Sequence, residues 1–125
     1  MAETCSRKTN RGVTLVFPCS GGSDVGELAD RGARKLSQAG TAQMYCLAGI
    51  GARVSGILKA TKAADLCLAV DGCSVGCASR TLQEAGLGPC RQICVTDLGF
   101  EKGATDVTEE AIAAVARAAE QELLA

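Results

Sequence analysis

The chain has 125 residues, 47% of them apolar, which is enough for one domain with a real core. Thirteen basic residues against fourteen acidic ones give a net charge of -1, and no basic run or aromatic interleaving marks a surface for nucleic acid. No apolar run could span a bilayer and no leader-like stretch follows the charged start, so neither membrane nor nucleic acid is an expected partner and a cytoplasmic protein is expected.

Residues 1–11 are polar and charged and read as a flexible arm in which Cys5 is an incidental thiol, leaving 12–125 as the α/β domain. Val13-Thr14-Leu15-Val16-Phe17, stopped by Pro18, is a buried strand, with Cys19 just past its carboxyl end. Ser20-Gly21-Gly22-Ser23-Asp24 makes a turn with helix-capping chemistry, and Val25, Leu28, Ala29 and Leu36 recur at helical spacing until Gly40. The unit then repeats. Ala42 to Leu47 reads as strand two, with Cys46 near its end, and Ile50, Val54, Ile57 and Leu58 line one helix face. Leu66 to Val70 is strand three, followed by Asp71-Gly72-Cys73 and a short helix through Leu82 and Ala85 to Gly86. Gln92 to Thr96 is strand four, leading into Asp97. The Gly-rich, charged segment from Leu98 to Val107 is the longest loop, and Thr108-Glu109-Glu110 opens a last helix with Ile112, Val115, Ala116, Ala119 and Leu123 on its buried stripe.

Strands alternating with helices at this spacing predict an open parallel sheet of about four strands, in the order 2-1-3-4 of flavodoxin-like folds, with helices on both faces in a Rossmann-like three-layer arrangement. Ligands bind such sheets at the carboxyl edge of the strands.

Eight cysteines and no histidine then become informative. Outside an oxidising compartment the cysteines are expected as reduced thiols rather than a disulfide scaffold. The missing histidine excludes Cys-His nucleophile pairs, Ser-His-Asp triads and mixed Cys/His zinc sites. Cys19, Cys46 and Cys73 each finish or follow a different strand, so all three reach one edge, about one strand spacing (~4.8 Å) apart. Cys77, four residues from Cys73 at a helix start, can turn back toward it. Four thiolates suit tetrahedral Zn²⁺, and the helix starts behind Cys19, Cys46 and Cys73 favour the negative charge of such a site. Any one of these cysteines alone would read as a small core residue, but burial does not predict the joint pattern.

The remaining residues carry weaker signals. Cys67, between Leu66 and Leu68, reads as core. Cys90 and Cys94 stand ~13 Å apart if one strand contains both, too far to share a metal. Asp71 and Asp97 are candidates for orienting a ligand or for acid/base work, against a plainer cap or turn role. Ser20, Gly21 and Gly22 form a possible anion-binding turn. Lys102, in the long loop, is either a positive lid over the site or a solvated surface charge. The glycines lack the acidic residue after strand two and the Lys-Ser/Thr that nucleotide-binding loops require.

The stretch Ala69-Val70-Asp71-Gly72-Cys73-Ser74-Val75-Gly76-Cys77-Ala78 resembles the motif that names the DGC-domain family of zinc-binding proteins. Pro18-Cys19-Ser20-Gly21-Gly22-Ser23-Asp24-Val25-Gly26, Tyr45-Cys46-Leu47-Ala48-Gly49-Ile50-Gly51 and Val95-Thr96-Asp97-Leu98-Gly99-Phe100-Glu101-Lys102-Gly103 are similar to its other blocks, in the same order. The resemblance implies four chelating cysteines at Cys19, Cys46, Cys73 and Cys77 and brings no reaction with it. Three functions compete: a zinc-binding protein, a metal-free thiol protein using Cys19 or Cys73 for redox or persulfide sulfur transfer, and an iron-sulfur cluster protein.

Overall fold

A computed structural model describes residues 12–125, so the arm expected over 1–11, with Cys5, lies outside the described residues. Four strands form an all-parallel sheet: β1 (Thr14–Pro18), β2 (Gln43–Met44), β3 (Leu66–Asp71) and β4 (Arg91–Cys94). Their order is β2-β1-β3-β4, as the strand-helix alternation predicts. The central pair runs in register from Thr14 opposite Leu66 to Pro18 opposite Val70. Proline fits at the end of β1 because the last ladder position asks least of a missing N–H donor.

Helices cover both faces. On one side α1 (Asp24–Gln38) and α5 (Glu109–Leu124) close a core of Val16, Leu28, Leu68, Val70 and Val115. On the other, α2 (Leu47–Gly51), α3 (Ser55–Ala63) and α4 (Cys77–Glu84) pack over Leu15, Phe17, Ile50, Ala69 and Leu82. Alternate residues of β1 and β3 thus feed opposite cores, as the two-residue repeat of a strand requires. Both long helices start on side-chain caps: Ser23 accepts from the Gly26 amide and Thr108 from the Ala111 amide. Among the described residues no helix is long and apolar enough to cross a membrane.

Two elements depart from the sequence reading. The expected strand over Ala42 to Leu47 keeps only Gln43–Met44 in the ladder. The Tyr45 amide still bonds the Val16 carbonyl at 3.0 Å, but Cys46 already stands as the residue before α2. Phe17 meets the Tyr45 ring edge-on at 6.0 Å, fixing where that short strand ends. The single helix expected through Ile50 to Leu58 is broken in two at Arg53, whose φ is +59°. The Arg53 guanidinium donates to the carbonyls of Ile50 and Glu84, which holds the left-handed turn and leaves Val54 46% exposed instead of buried.

Candidate thiol site at the carboxyl edge

The loops after β1, β2 and β3 all leave the sheet at its carboxyl edge, and the strand order sets Cys19 between Cys46 on one side and Cys73 on the other. Cys19 and Cys73 are partly buried and pack against the α1/α5 core, whereas Cys46 and Cys77 are exposed. Cys77 opens α4, and the elements carrying Cys46 and Cys77 lie on the same face of the sheet.

The Asp71-Gly72-Cys73 segment shows what each of its residue types does. Asp71 is 1% exposed, and its carboxylate accepts from the Ala78 amide at 2.6 Å, the Ser79 hydroxyl at 2.6 Å and amide at 3.3 Å, and the Gln92 side chain at 3.1 Å. These bonds cap α4 from seven residues upstream. The residue at the usual cap position is Gly76, with φ +71° and no side chain to do the work. Asp71 therefore has the turn-and-cap role weighed for it from sequence, and it joins β3, α4 and β4.

Gly72 sits where the end of β3 meets the start of α1. A Cβ there would come within 2.8 Å of the Val25 carbonyl and the Gly26 nitrogen, so only glycine fits without moving backbone. Its amide points at Cys19 Sγ, 3.3 Å away, and its carbonyl accepts from the Thr96 amide at 3.2 Å. Cys73 follows directly. The glycine is thus the peptide unit through which the ends of β1, β3 and β4 meet.

The long loop is ordered over this edge by a residue that sequence reading treated only as part of a turn. Asp24, in the first turn of α1, accepts from the amides of Gly103 at 2.9 Å and Thr105 at 3.0 Å as well as its own neighbour Val25. The Gly103 bond first, then that of Thr105, holds the Asp24 carboxyl below its ordinary range. Held in this way, the loop brings Lys102 Nζ to 3.6 Å from Cys73 Sγ, close to the lid role considered for it. An aspartate next to a glycine-rich turn is the available sequence signal, but its partner lies 79 residues away.

The other candidates are placed as follows. Asp97 is exposed in a short 3-10 turn, Val95–Leu98, that continues from β4. Ser20 adopts a positive φ of 53° and its hydroxyl donates to Asp30 at 2.7 Å, while Gly21 and Gly22 stay exposed. The nearby amides of Val25 and Gly26 already bond Asp24 and Ser23 side chains. Cys94 ends β4 opposite Asp71, its sulfur 3.2 Å from the Thr96 hydroxyl.

Thiols are the donor chemistry that zinc requires, and the edge gathers their backbones. Their side chains are less convergent: among the described residues, no three Cys, Asp or Glu groups stand close enough together to hold a metal ion.

Comparison with known proteins agrees with the motif. The chain is similar to the "Anaerobic and virulence modulator AnvM" of Pseudomonas aeruginosa (strain PAO1), 33% identical over 88 residues that cover 70% of this chain and 67% of that protein. No solved structure matches the chain. The model of the DGC domain matches residues 15–119, a span that takes in all of the sheet but Thr14, the Asp71-Gly72-Cys73 segment and the loop above it, and a cysteine-rich domain of this kind is consistent with metal binding: the chain belongs to the DGC-domain family.

Proposed function

We propose that the protein binds a single zinc ion through Cys19, Cys46, Cys73 and Cys77, in the cytoplasm where thiols stay reduced. The observation that carries this reading is the delivery of three cysteines to one sheet edge by three successive strand-loop-helix units, with a fourth in the first turn of α4. Two of the sulfurs already face donors, Cys19 the Gly72 amide and Cys73 the Lys102 ammonium, which is the company a metal-bound thiolate keeps. Binding has to draw the side chains together. Cys46 and Cys77 are exposed, so this is a matter of rotamers at the surface rather than of repacking a core.

Zinc in such a site would fix the loops to one another and offset half of the thiolates' charge; full four-sulfur coordination leaves no open position for hydrolytic water. The role is then binding or regulatory, in keeping with the name of the Pseudomonas relative as a modulator. Metal content per chain, measured by mass spectrometry after anaerobic purification, tests the proposal. About one zinc in the wild type and a large loss in Cys73→Ser is expected. Folded protein with no metal in either sample rejects it, and a brown sample containing iron and sulfide replaces zinc by a cluster.

The Lys102–Cys73 contact also favours a second reading, in which Cys73 or Cys19 carries sulfur as a persulfide or exchanges disulfides without metal. If metal-free protein alkylates at Cys19 and Cys73 no faster than at exposed Cys46, that reading fails.

A further inference from the structure

A different pair of thiols lies at the opposite pole of the sheet. Cys67 is the second residue of β3 and Cys90 immediately precedes β4. The register pairs Leu68 with Arg91, so one step back Cys67 stands beside Cys90. Neighbouring strands run ~4.8 Å apart, within the ~4.4–6.8 Å between Cα atoms that a disulfide bridges. The two thiols are near enough for each to shift the other's titration, and in its protonated form Cys90 Sγ donates to the Leu87 carbonyl at 3.3 Å. Both are only half-buried. They line one wall of a surface cavity of about 280 Å³ with Lys62, Asp65, Leu87 and Pro89.

We propose that Cys67 and Cys90 are a second, independent functional site: a cross-strand dithiol that a hydroperoxide oxidises to a disulfide and a dithiol reductant restores. Nothing in this site depends on the metal reading of the carboxyl edge. In the first step, written for hydrogen peroxide, the Cys90 sulfur attacks a peroxide oxygen; the O–O bond breaks, Cys90 becomes a sulfenic acid, and the other oxygen leaves as water with the thiol's proton. In the second, the Cys67 sulfur attacks the Cys90 sulfur. The S–O bond breaks, the S–S bond forms, and the departing oxygen takes the Cys67 proton to leave as a second water. Two electrons from the dithiol have then reduced one peroxide to water.

Place in the fold assigns the roles: Cys90, in the loop before β4, attacks the peroxide, and Cys67, inside β3, resolves the product. A hydrogen bond from Cys67 pushes the Cys90 thiol down to about 7. The same bond, followed by burial and the charge on Cys90, pushes Cys67 up, which keeps its proton in place until the second step.

The test uses the full chain, fully reduced in the presence of a chelator and treated with one equivalent of hydrogen peroxide, with the product mapped by peptide mass spectrometry. A Cys67–Cys90 crosslink that a dithiol removes is expected as the main product. It should be absent in Cys90→Ser, while Cys67→Ser should instead accumulate a sulfenic acid on Cys90 that a carbon nucleophile traps. Cys19→Ser and Cys73→Ser should form the crosslink at the wild-type rate, which separates this site from the zinc proposal. A main crosslink joining other cysteines, or two unoxidised thiols at 67 and 90 after the peroxide is consumed, overturns the proposal. Because the decisive product is read in the wild-type chain, loss of folding in a variant does not shelter it.

Discussion

The two ends of one sheet carry thiols in opposite conditions. At the carboxyl edge Cys19, Cys46, Cys73 and Cys77 sit on loops and helix starts, with Cys94 ending β4 nearby, and among the described residues no three of these side chains stand close enough together to hold a metal. At the amino edge two cysteines are set side by side by strand register alone. Loops allow sulfurs to close around something that arrives, whereas adjacent strands hold them where they can react with each other. The same residue type is therefore suited to binding at one end and to two-electron chemistry at the other.

The sharpest way to break that division is to exchange the defects. Cys19→Ser/Cys73→Ser should lose nearly all bound metal and keep the peroxide-induced crosslink; Cys67→Ser/Cys90→Ser should do the reverse. Metal analysis and peptide mapping on both proteins decide it, and parallel loss of both properties in either variant would show the poles to be one system.

A smaller effect separates the scaffold of the carboxyl edge from its sulfurs. Asp71→Ala strands the buried Ala78 amide and takes the acceptor from the partly buried Ser79 amide and the Gln92 side chain, and should cost about 2 kcal/mol in a denaturant titration. Asp71→Asn, which keeps one acceptor, should lose less. Equal stability of wild type and Asp71→Ala would remove the aspartate from its place as the cap of α4.

The smallest expected effect concerns the loop. The amides of Gly103 and Thr105 favour the Asp24 carboxylate, so this tether is complete above the ordinary carboxylate range and is lost as pH falls through that range to the lowered folded value. Asp24→Ala should therefore speed amide hydrogen exchange at Gly103 and Thr105 several-fold at neutral pH while leaving the sheet's amides unchanged. It should also remove the acid-sensitive step at these two positions. Unaltered exchange would mean that Phe100 and Val107, which pack on the core, hold the loop without help.

Much of this was legible in the order of residues. Apolar runs of strand length alternating with helical stripes suffice for the parallel sheet and its order, and cysteines that end three runs must share an edge whatever the loops do. Less legible was anything requiring register or a distant partner. The stripe through Ile50, Val54 and Ile57 is continuous in sequence, but Arg53 takes a left-handed turn because two carbonyls, one of them Glu84's, accept its guanidinium. Cys67 reads as core because its neighbours are leucines, and it does pack against the Leu15 and Phe17 core, but near the start of β3 it stays partly exposed as well. Its relation to Cys90 was available in principle, since each stands at the amino end of its strand, but it needed the one-residue register that only pairing supplies.

Gly72 has one more consequence. Its amide faces Cys19, its carbonyl holds the turn after β4, and its α-carbon lies against the start of α1. The interval between Cys19 and Cys73 is therefore ruled by peptide geometry, like the spacing of teeth cut into a single bar. Changes at the exposed surface around Cys46 and Cys77 would leave that interval as it is.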